Sequence, residues 1–136
     1  MQLAINEAGI TPQEVDYINT HGTATPIGDV AEVKAIQQLF GEHAYALNIT
    51  SSKSMLGHTM GAAGAVEAII SILSMQQGMV TPTINHEQGD EDPNIDYRLN
   101  FTFNQAQQRN IHYAMSNNYG FGGQNACLLF KNPNIQ

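Results

Sequence analysis

Apolar positions along the chain follow two spacings, one typical of strands and one typical of helices. Short runs rich in β-branched and aromatic residues at 15–18 and 45–50 predict strands. Between them, the apolar residues from Val30 to Phe40 recur at helical spacing and predict a helix over 29–40. The chain therefore begins with alternating strands and helices.

Capping residues mark the boundaries of the first elements. A short helix is predicted at 2–8, because Gly9 is a natural residue just past a helix end. Thr11, Pro12 and Glu14 then form a capping pattern, with proline at the first helical position and glutamate placed to close a capping box. One helical turn should precede the first strand.

The second half of the chain predicts a buried helix followed by more strands. The segment 60–77 is apolar nearly all round and starts with small residues, which favours a closely packed, buried helix. Pro82 limits the extended segment 79–84 to a sheet edge or a strand start. Further strands are predicted at 99–103, 111–116 and 126–131, the last two joined by a glycine-rich turn.

This order of elements predicts an α/β fold with a mixed five-stranded sheet and helices packed on it. The 136 residues and the 42% apolar fraction suit a single globular domain over 1–136. The net charge of −7, with five scattered basic residues, argues against nucleic-acid binding. The apolar stretch 62–75 contains Glu67 and is too short to span a membrane. A single cysteine excludes a disulfide framework and fits a reducing compartment, so we expect a cytoplasmic protein.

Two histidines stand in glycine-containing turns, each between a predicted strand and a predicted helix. His21 lies in the segment NTHGT at 19–23, and His58 lies in LGHTMG at 56–61. An α/β fold presents functional side chains at the carboxyl ends of its strands, so both are candidate catalytic residues. The one cysteine, Cys127, lies in an apolar run that favours a buried strand position. The sequence therefore looks like half of an active site.

Three segments, in order, resemble the β-ketoacyl-acyl-carrier-protein synthases that elongate acyl chains. Segment 19–26 resembles their first histidine motif, and 52–58 followed by 61–67 resembles their lysine–histidine motif. Segment 118–125 resembles their C-terminal glycine-rich turn. The resemblance implies the C-terminal half of a thiolase-like condensing enzyme. The N-terminal half, which would bear the active-site cysteine, is then expected to lie outside this sequence.

The resemblance also implies a reaction and its catalytic residues. The full-length protein would be an acyltransferase of fatty-acid biosynthesis, condensing an acyl thioester with malonyl-acyl-carrier protein in a decarboxylative Claisen reaction. His21 and His58 would donate hydrogen bonds to the developing enolate oxygen. Lys53 would belong to a buried ionic network with Asp29 and Glu32. Because covalent catalysis needs the thiolate, this chain alone is expected to be inactive.

Supporting residues and partners follow from the same resemblance. Glu67 would stand near the histidines, Thr23 and Thr25 would bind the phosphopantetheine arm of acyl carrier protein, and Phe121 would be a gating aromatic residue. A structural cation is a candidate near Asn19, Glu67, Ser116, Asn117 and Asn125, positions rich in the oxygen ligands that hard cations prefer. No other cofactor is implied. The expected partners are acyl carrier protein, malonyl and acyl thioesters, the protein's own N-terminal half and a second copy in a homodimer.

The chain departs from the family pattern at two positions of the glycine-rich turn. Tyr119 replaces the usual phenylalanine, which adds a hydroxyl that needs a partner if it is buried. Gln124 replaces the usual threonine before Asn125. Neither change removes a catalytic group.

Other interpretations stay open on the sequence alone. The chain could come from a ketosynthase of a polyketide or aryl-polyene pathway, or from a non-catalytic partner of a condensing-enzyme pair. Retention of His21, Lys53 and His58 together argues against the non-catalytic alternative. A zinc site of His21, His58 and Glu67 is a third alternative, although their spacing matches no metal motif. Finally, the apolar helix at 60–77 would expose a face meant for the other half, so the isolated chain should self-associate or be marginally stable.

Overall fold

The computed structural model describes residues 1–134 and contains a mixed four-stranded sheet between helices. The helices are α1 (Gln2–Ala8), α2 (Pro26–Phe40), α3 (Lys53–Leu56) and α4 (Ala63–Gln77). The strands are β1 (Val15–Asn19), β2 (Asn48–Thr50), β3 (Met79–Val80), β4 (Gln107–Gln108), β5 (Tyr113–Gly120) and β6 (Gln124–Lys131). Short 3₁₀ helices are formed by Pro12–Glu14, Gly41–Ala46 and Met60–Ala62.

The order of the main sheet is β2-β1-β5-β6, and its strand directions define the functional edge. β1 runs parallel to both β2 and β5, whereas β5 and β6 form an antiparallel hairpin. The short strands β3 and β4 pair separately. The carboxyl ends of β1, β2 and β5 therefore meet at one edge of the sheet. The segments that follow these three strands carry the motifs singled out from the sequence.

Two apolar clusters cover the two faces of the sheet. On one face, Ile5 of α1 and Ile36 of α2 pack with Ile18 and Met115 of the sheet. On the other face, Met75 of α4 packs with residues that include Tyr17 and Ala114. Successive strand residues point to opposite faces of a sheet, so the neighbours Tyr17 and Ile18 belong to different clusters. α1 and α2 therefore pack on one face of the sheet and α4 packs on the other.

The structure confirms the first predicted elements. α1 ends at Gly9, whose φ of 67° is left-handed. The capping box is present, since the Thr11 amide donates to Glu14 Oε2 at 2.7 Å ahead of the turn Pro12–Glu14. The proline at the first helical position and the capping box thus define this turn, as predicted.

The main sheet has four strands rather than the predicted five. The backbone of segment 99–103 pairs with the sheet through one isolated bridge, between Asn100 and Asn48 of β2. Thr102 and Asn104 adopt positive φ values of 50° and 60°, which breaks the extended backbone that a ladder requires. The sequence pattern showed the apolar alternation but carried no glycine or proline to signal this break.

Several predicted boundaries were wrong by a few residues. α2 begins at Pro26 rather than at 29, because Thr25 is extended at the helix cap and proline fits the first turn. The predicted strand 45–50 shortens to Asn48–Thr50, since the preceding residues form a 3₁₀ segment. α3 was not predicted.

α4 is only partly buried, which corrects the prediction of a fully buried helix. Its inner face, with Glu67, Ser71 and Met75, packs on the sheet. Its outer face leaves Ile69, Ile72 and Leu73 exposed by 57%, 38% and 46%. One sheet can cover only one side of a helix, so the outer apolar stripe has no partner within residues 1–134. None of the helices in that range is long and apolar enough to cross a membrane.

We expect this stripe to make the isolated chain self-associate. Changing Ile69→Lys together with Leu73→Lys should weaken association at least about tenfold, because burial of each such side chain contributes roughly 1.5–3 kcal/mol. Sedimentation of the chain over a range of concentrations measures this. Leu3→Lys on α1, 83% exposed on the opposite face, is the control and should change nothing. A wild-type chain that stays monomeric at all concentrations would contradict the prediction.

Candidate active site

Three loops converge at the carboxyl edge of the sheet. His21 follows β1, His58 follows α3 after β2, and the glycine-rich turn follows β5. The rings of His21 and His58 lie 5.6 Å apart between centroids, nearly perpendicular at 86°. The sequence placed these histidines at strand ends, and the fold brings them into contact.

Glu32 of α2 holds the His21 loop by its backbone. Its two carboxylate oxygens accept the His21 and Gly22 amides, each at 3.0 Å. Asn117 of β5 also donates to Glu32 Oε1 at 3.1 Å. Burial raises the pKa of Glu32, while these donors oppose the rise by stabilising the carboxylate. Glu32 is therefore an anchor of the loop rather than a partner of an ammonium group.

Lys53 pairs with Glu67, which corrects the predicted network of Lys53 with Asp29 and Glu32. The Lys53 ammonium contacts Glu67 Oε1, and the two side chains are only 6% and 3% exposed. Asn118 of β5 donates to the other carboxylate oxygen at 2.9 Å. The reason lies in the fold: α3 and α4 are on the Glu67 side of the sheet, whereas Asp29 and Glu32 belong to α2 on the opposite side.

A strained residue fixes the ring of His58. Met60 has a φ of 53°, and its amide donates to His58 Nδ1 at 3.2 Å. Because Nδ1 accepts this bond, the ring proton of neutral His58 is on Nε2. The side chain is exposed, so this N–H donor faces the open side of the site. Left-handed backbone at a residue with a side chain is costly and often occurs at functional sites.

His21 lies deeper than His58. Burial, followed by the Lys53 ammonium, lowers the pKa of His21. The imidazole is therefore neutral at pH 7 and retains one N–H donor. Two imidazoles in contact can both donate to one oxygen that gains negative charge.

The residues predicted to bind the pantetheine arm lie at the rim of the same loop. The hydroxyls of Thr23 and Thr25 are 3.4 Å apart and exposed. Ala24 between them has a φ of 58°, so this short segment is strained as well. Burial raises the pKa of Asp29, which lies in the first turn of α2. The rim is thus a hydroxyl-bearing surface next to His21.

Phe121 projects from the turn between β5 and β6 and is 99% exposed. Gly122 and Gly123 follow it with φ values of 84° and 83°, which favour glycine at both positions. An exposed phenylalanine on such a turn is typical of a surface that is covered by another part of a protein.

The candidate cation residues fall on two sides of the sheet. Asn19 donates to Ser52 and reaches the backbone oxygen of Glu67, and the Ser116 hydroxyl is buried without a hydrogen-bond partner among residues 1–134. These atoms suit a hard cation. Asn117, however, binds Glu32 on the opposite face, and Asn125 is exposed. A cation at Asn19, Glu67 and Ser116 stays a prediction, whereas the side chain of Asn117 does not fit it.

The zinc alternative finds no support in the structure. Within residues 1–134, no group of three or more histidine, cysteine, aspartate or glutamate side chains is arranged to hold a metal ion. Glu67 instead pairs with Lys53. His21, His58 and Glu67 therefore do not form a ligand set in this chain.

Sequence reasoning missed Asn118 and Ser51 as supporting residues. Asn118 bonds Glu67, and the Ser51 hydroxyl donates to the Gly22 carbonyl at 2.7 Å. Asn118 is the first residue of the glycine-rich motif and Ser51 directly precedes the lysine–histidine motif, which was the available signal. Their partners lie far away in sequence and are defined by the fold.

Gly22 is required by close packing, so Gly22→Ala should destabilise the site. A Cβ there would lie 2.7 Å from Ser51 Cβ, and the backbone φ of 35° already disfavours a side chain. We expect a loss of about 1–3 kcal/mol in the free energy of unfolding, measured by chemical denaturation. Gly61→Ala is the matched control, because a Cβ there would meet nothing within 4 Å. Equal stabilities of the two variants would contradict this account of the loop.

The chain is similar in sequence to a known family and to curated proteins. A family described as "Beta-ketoacyl synthase, C-terminal domain" matches residues 1–87. The curated 3-oxoacyl-[acyl-carrier-protein] synthase 2 of Staphylococcus aureus (strain COL) is 52% identical over 131 residues, which are 96% of this chain and 31% of that protein. The synthase 2 of Coxiella burnetii is 47% identical over 129 residues, covering 95% of this chain and 30% of that protein. The chain therefore spans about a third of the length of these relatives.

Solved structures show the same likeness. A β-ketoacyl synthase from Burkholderia phymatum superposes with a TM-score of 0.88 at 39% identity, covering 97% of this chain and 31% of that one. A type II polyketide ketosynthase, solved with its acyl-carrier protein, gives a TM-score of 0.89 at 34% identity, covering 96% and 31%. These similarities confirm the predicted thiolase-like α/β fold class.

Proposed function

The chain belongs to the β-ketoacyl synthase family, and we propose that it supplies the histidine part of the active site of a 3-oxoacyl-acyl-carrier-protein synthase. The observation that carries this proposal is the 5.6 Å contact between the rings of His21 and His58 at the carboxyl edge of the sheet. Because the chain spans about a third of its curated relatives, the activity belongs to the full-length protein.

The two histidines act on the malonyl thioester. When its carboxylate leaves as CO₂, the electron pair of the broken carbon–carbon bond moves into the thioester and forms an enolate. The negative charge collects on the thioester oxygen, where the N–H groups of His21 and His58 donate hydrogen bonds. The enolate carbon then attacks the carbonyl carbon of an enzyme-bound acyl group. The new carbon–carbon bond forms as the acyl–sulfur bond breaks, and the thiolate leaves.

The charges around His21 and His58 suit this role. A neutral imidazole carries one ring N–H, which can donate a hydrogen bond to the enolate oxygen. The lowered pKa of His21 keeps its imidazole neutral. Lys53 contributes a fixed positive charge near the enolate, and Glu67 and Asn118 hold that ammonium in the buried site. A buried ammonium requires such a partner.

The nucleophilic thiolate comes from a part of the protein outside this chain. Cys127 is unsuited to the task, because burial raises its pKa and it lies on β6 opposite Asn117. The exposed positions around His58, which include Leu56, Met60 and Phe121, are the surface on which the cysteine-bearing N-terminal half would close. The exposed stripe of α4 would be covered in the same way.

Acyl carrier protein delivers the substrates in this proposal. Its phosphopantetheine arm would pass the hydroxyls of Thr23 and Thr25, which lie at the exposed rim beside His21. The chain has only five basic residues and a net charge of −7, so the charges that attract an acidic carrier would come from elsewhere in the full-length homodimer. A cytoplasmic location stays a prediction.

Fatty-acid elongation is the preferred pathway because relatives at 52% and 47% identity are named 3-oxoacyl-[acyl-carrier-protein] synthase 2. A polyketide role is the second candidate, because the similar structures include ketosynthases of that class. A non-catalytic partner is less well supported, because His21, His58 and the Lys53–Glu67 pair are all present and in contact range.

The experiment is a condensation assay on the protein encoded by the whole reading frame that contains this chain. The protein receives malonyl-acyl-carrier protein and saturated acyl thioesters of several lengths, and the 3-oxoacyl product is measured by mass spectrometry. One round of condensation with saturated acyl groups supports the fatty-acid role. Repeated condensation without reduction supports the polyketide role, and no condensation with any acyl group contradicts the proposal.

A further inference from the structure

The two histidines of the site are held in different ways. His58 is fixed by a hydrogen bond, because the Met60 amide donates to its Nδ1 at 3.2 Å. The Nδ1 atom of His21 is buried, yet it has no hydrogen-bond partner among residues 1–134. A hydrogen bond at Nδ1 therefore does not orient the His21 ring, and the groups packed against the ring help to do so.

Tyr119 supplies that packing. Its ring centroid lies 5.5 Å from that of His21, with the two planes tilted by 56°. The ring of His58 also contacts His21, with the two planes nearly perpendicular. Aromatic pairs favour such tilted contacts at these distances. The His21 imidazole thus contacts two rings, those of Tyr119 and His58.

β5 places Tyr119 on the side of the sheet that carries Glu32. Tyr119 lies on the same face of β5 as Asn117, because strand residues two apart share a face. Asn117 donates to Glu32, the residue that also binds the His21 amide. Burial, and then the Glu32 carboxylate, raise the pKa of Tyr119, so its hydroxyl stays neutral next to that carboxylate. Glu32 therefore orients the backbone of His21, and Tyr119 contacts its ring.

We propose that Tyr119 is a positioning residue that holds the His21 imidazole at the angle needed for hydrogen-bond donation to the substrate oxygen. The ring makes this contact, so phenylalanine can replace tyrosine but an aliphatic residue cannot. The inference rests on the proposed function of His21. It assigns a role to a side chain at which this chain departs from the pattern of the family it resembles.

The test compares Tyr119→Leu and Tyr119→Phe in the full-length protein. Tyr119→Leu should lower kcat for decarboxylation of malonyl-acyl-carrier protein about tenfold, since the loss of one aromatic contact lowers a rate by a factor on the order of ten. KM should change less than about twofold, because substrate binding does not involve this ring. Acyl transfer to the active-site cysteine should be unchanged, and Tyr119→Phe should restore decarboxylation.

Tyr113→Leu is the matched control. Tyr113 lies on the same face of β5 and is half-buried, roughly 20 Å from Tyr119 at about 3.3 Å per residue. Its replacement should leave the decarboxylation rate unchanged. A general loss of strand packing would instead lower decarboxylation in both leucine variants.

Three results would overturn the proposal. Tyr119→Leu could decarboxylate at the wild-type rate, could lose acyl transfer to the same extent, or could be matched in its defect by Tyr119→Phe. A wild-type protein without any decarboxylation would contradict the proposed function instead. In that case the ring orientation of His21 in crystals of Tyr119→Leu still tests the positioning role, because an unchanged orientation would overturn it.

Discussion

Replacing either histidine by alanine should lower the decarboxylation of malonyl-acyl-carrier protein by about 10²–10³-fold in the full-length protein. Each substitution removes one preorganised N–H donor from an oxygen that becomes negatively charged only as CO₂ leaves. The contact between the rings of His21 and His58 implies that both donors serve this same oxygen. The effect should therefore appear in kcat, with little change in KM.

His112→Ala is the control for these variants. His112 is exposed, and among residues 1–134 its ring has a hydrogen bond only with Asn110. Its replacement should leave the rate unchanged. If His21→Ala or His58→Ala retained more than about a tenth of the wild-type rate, that histidine would not be one of the oxyanion donors.

Loss of the Lys53 ammonium should cause the largest change in stability. Lys53→Ala leaves Glu67 as an unpaired buried carboxylate, since the two side chains are 6% and 3% exposed. Breaking a buried pair by removal of one partner costs about 3–5 kcal/mol in the free energy of unfolding. Thermal or chemical unfolding of the full-length protein measures this cost.

A second substitution separates the charge from the packing. Lys53→Met with Glu67→Gln removes both charges and should recover most of the lost stability, because no buried charge is then unpaired. Lys34→Ala, on the exposed face of α2, is the control and should change stability by less than about 0.5 kcal/mol. If Lys53→Ala destabilised no more than Lys34→Ala, the pair would not be buried in the full-length protein.

The position of His21 just after a strand was predictable, because the β-branched run before it and Gly22 after it are local signals. His58 was also predicted to follow a strand, but α3, which was not predicted, stands between β2 and His58. The capping box at Thr11 and Glu14 was predictable from local signals as well. Local chemistry determined these features.

The pairing of charged residues was not predictable in this way. Whether Lys53 meets Glu67 or the α2 carboxylates depends on which side of the sheet each helix packs, and that depends on the whole topology. The missing fifth strand has a similar origin, since Thr102 adopts a left-handed backbone that its residue type does not signal. Contacts across the sheet, such as Tyr119 with His21, likewise appear only in the folded chain.

The most direct test of the central claim is CO₂ release from malonyl-acyl-carrier protein after the nucleophilic cysteine of the full-length protein has been alkylated. If this chain carries the decarboxylation chemistry, CO₂ release should continue while condensation stops, and His21→Ala or His58→Ala should then abolish it. If alkylation stops CO₂ release together with condensation, or if the histidine variants still release CO₂ at the wild-type rate, the two histidines do not form the enolate-stabilising part of the site.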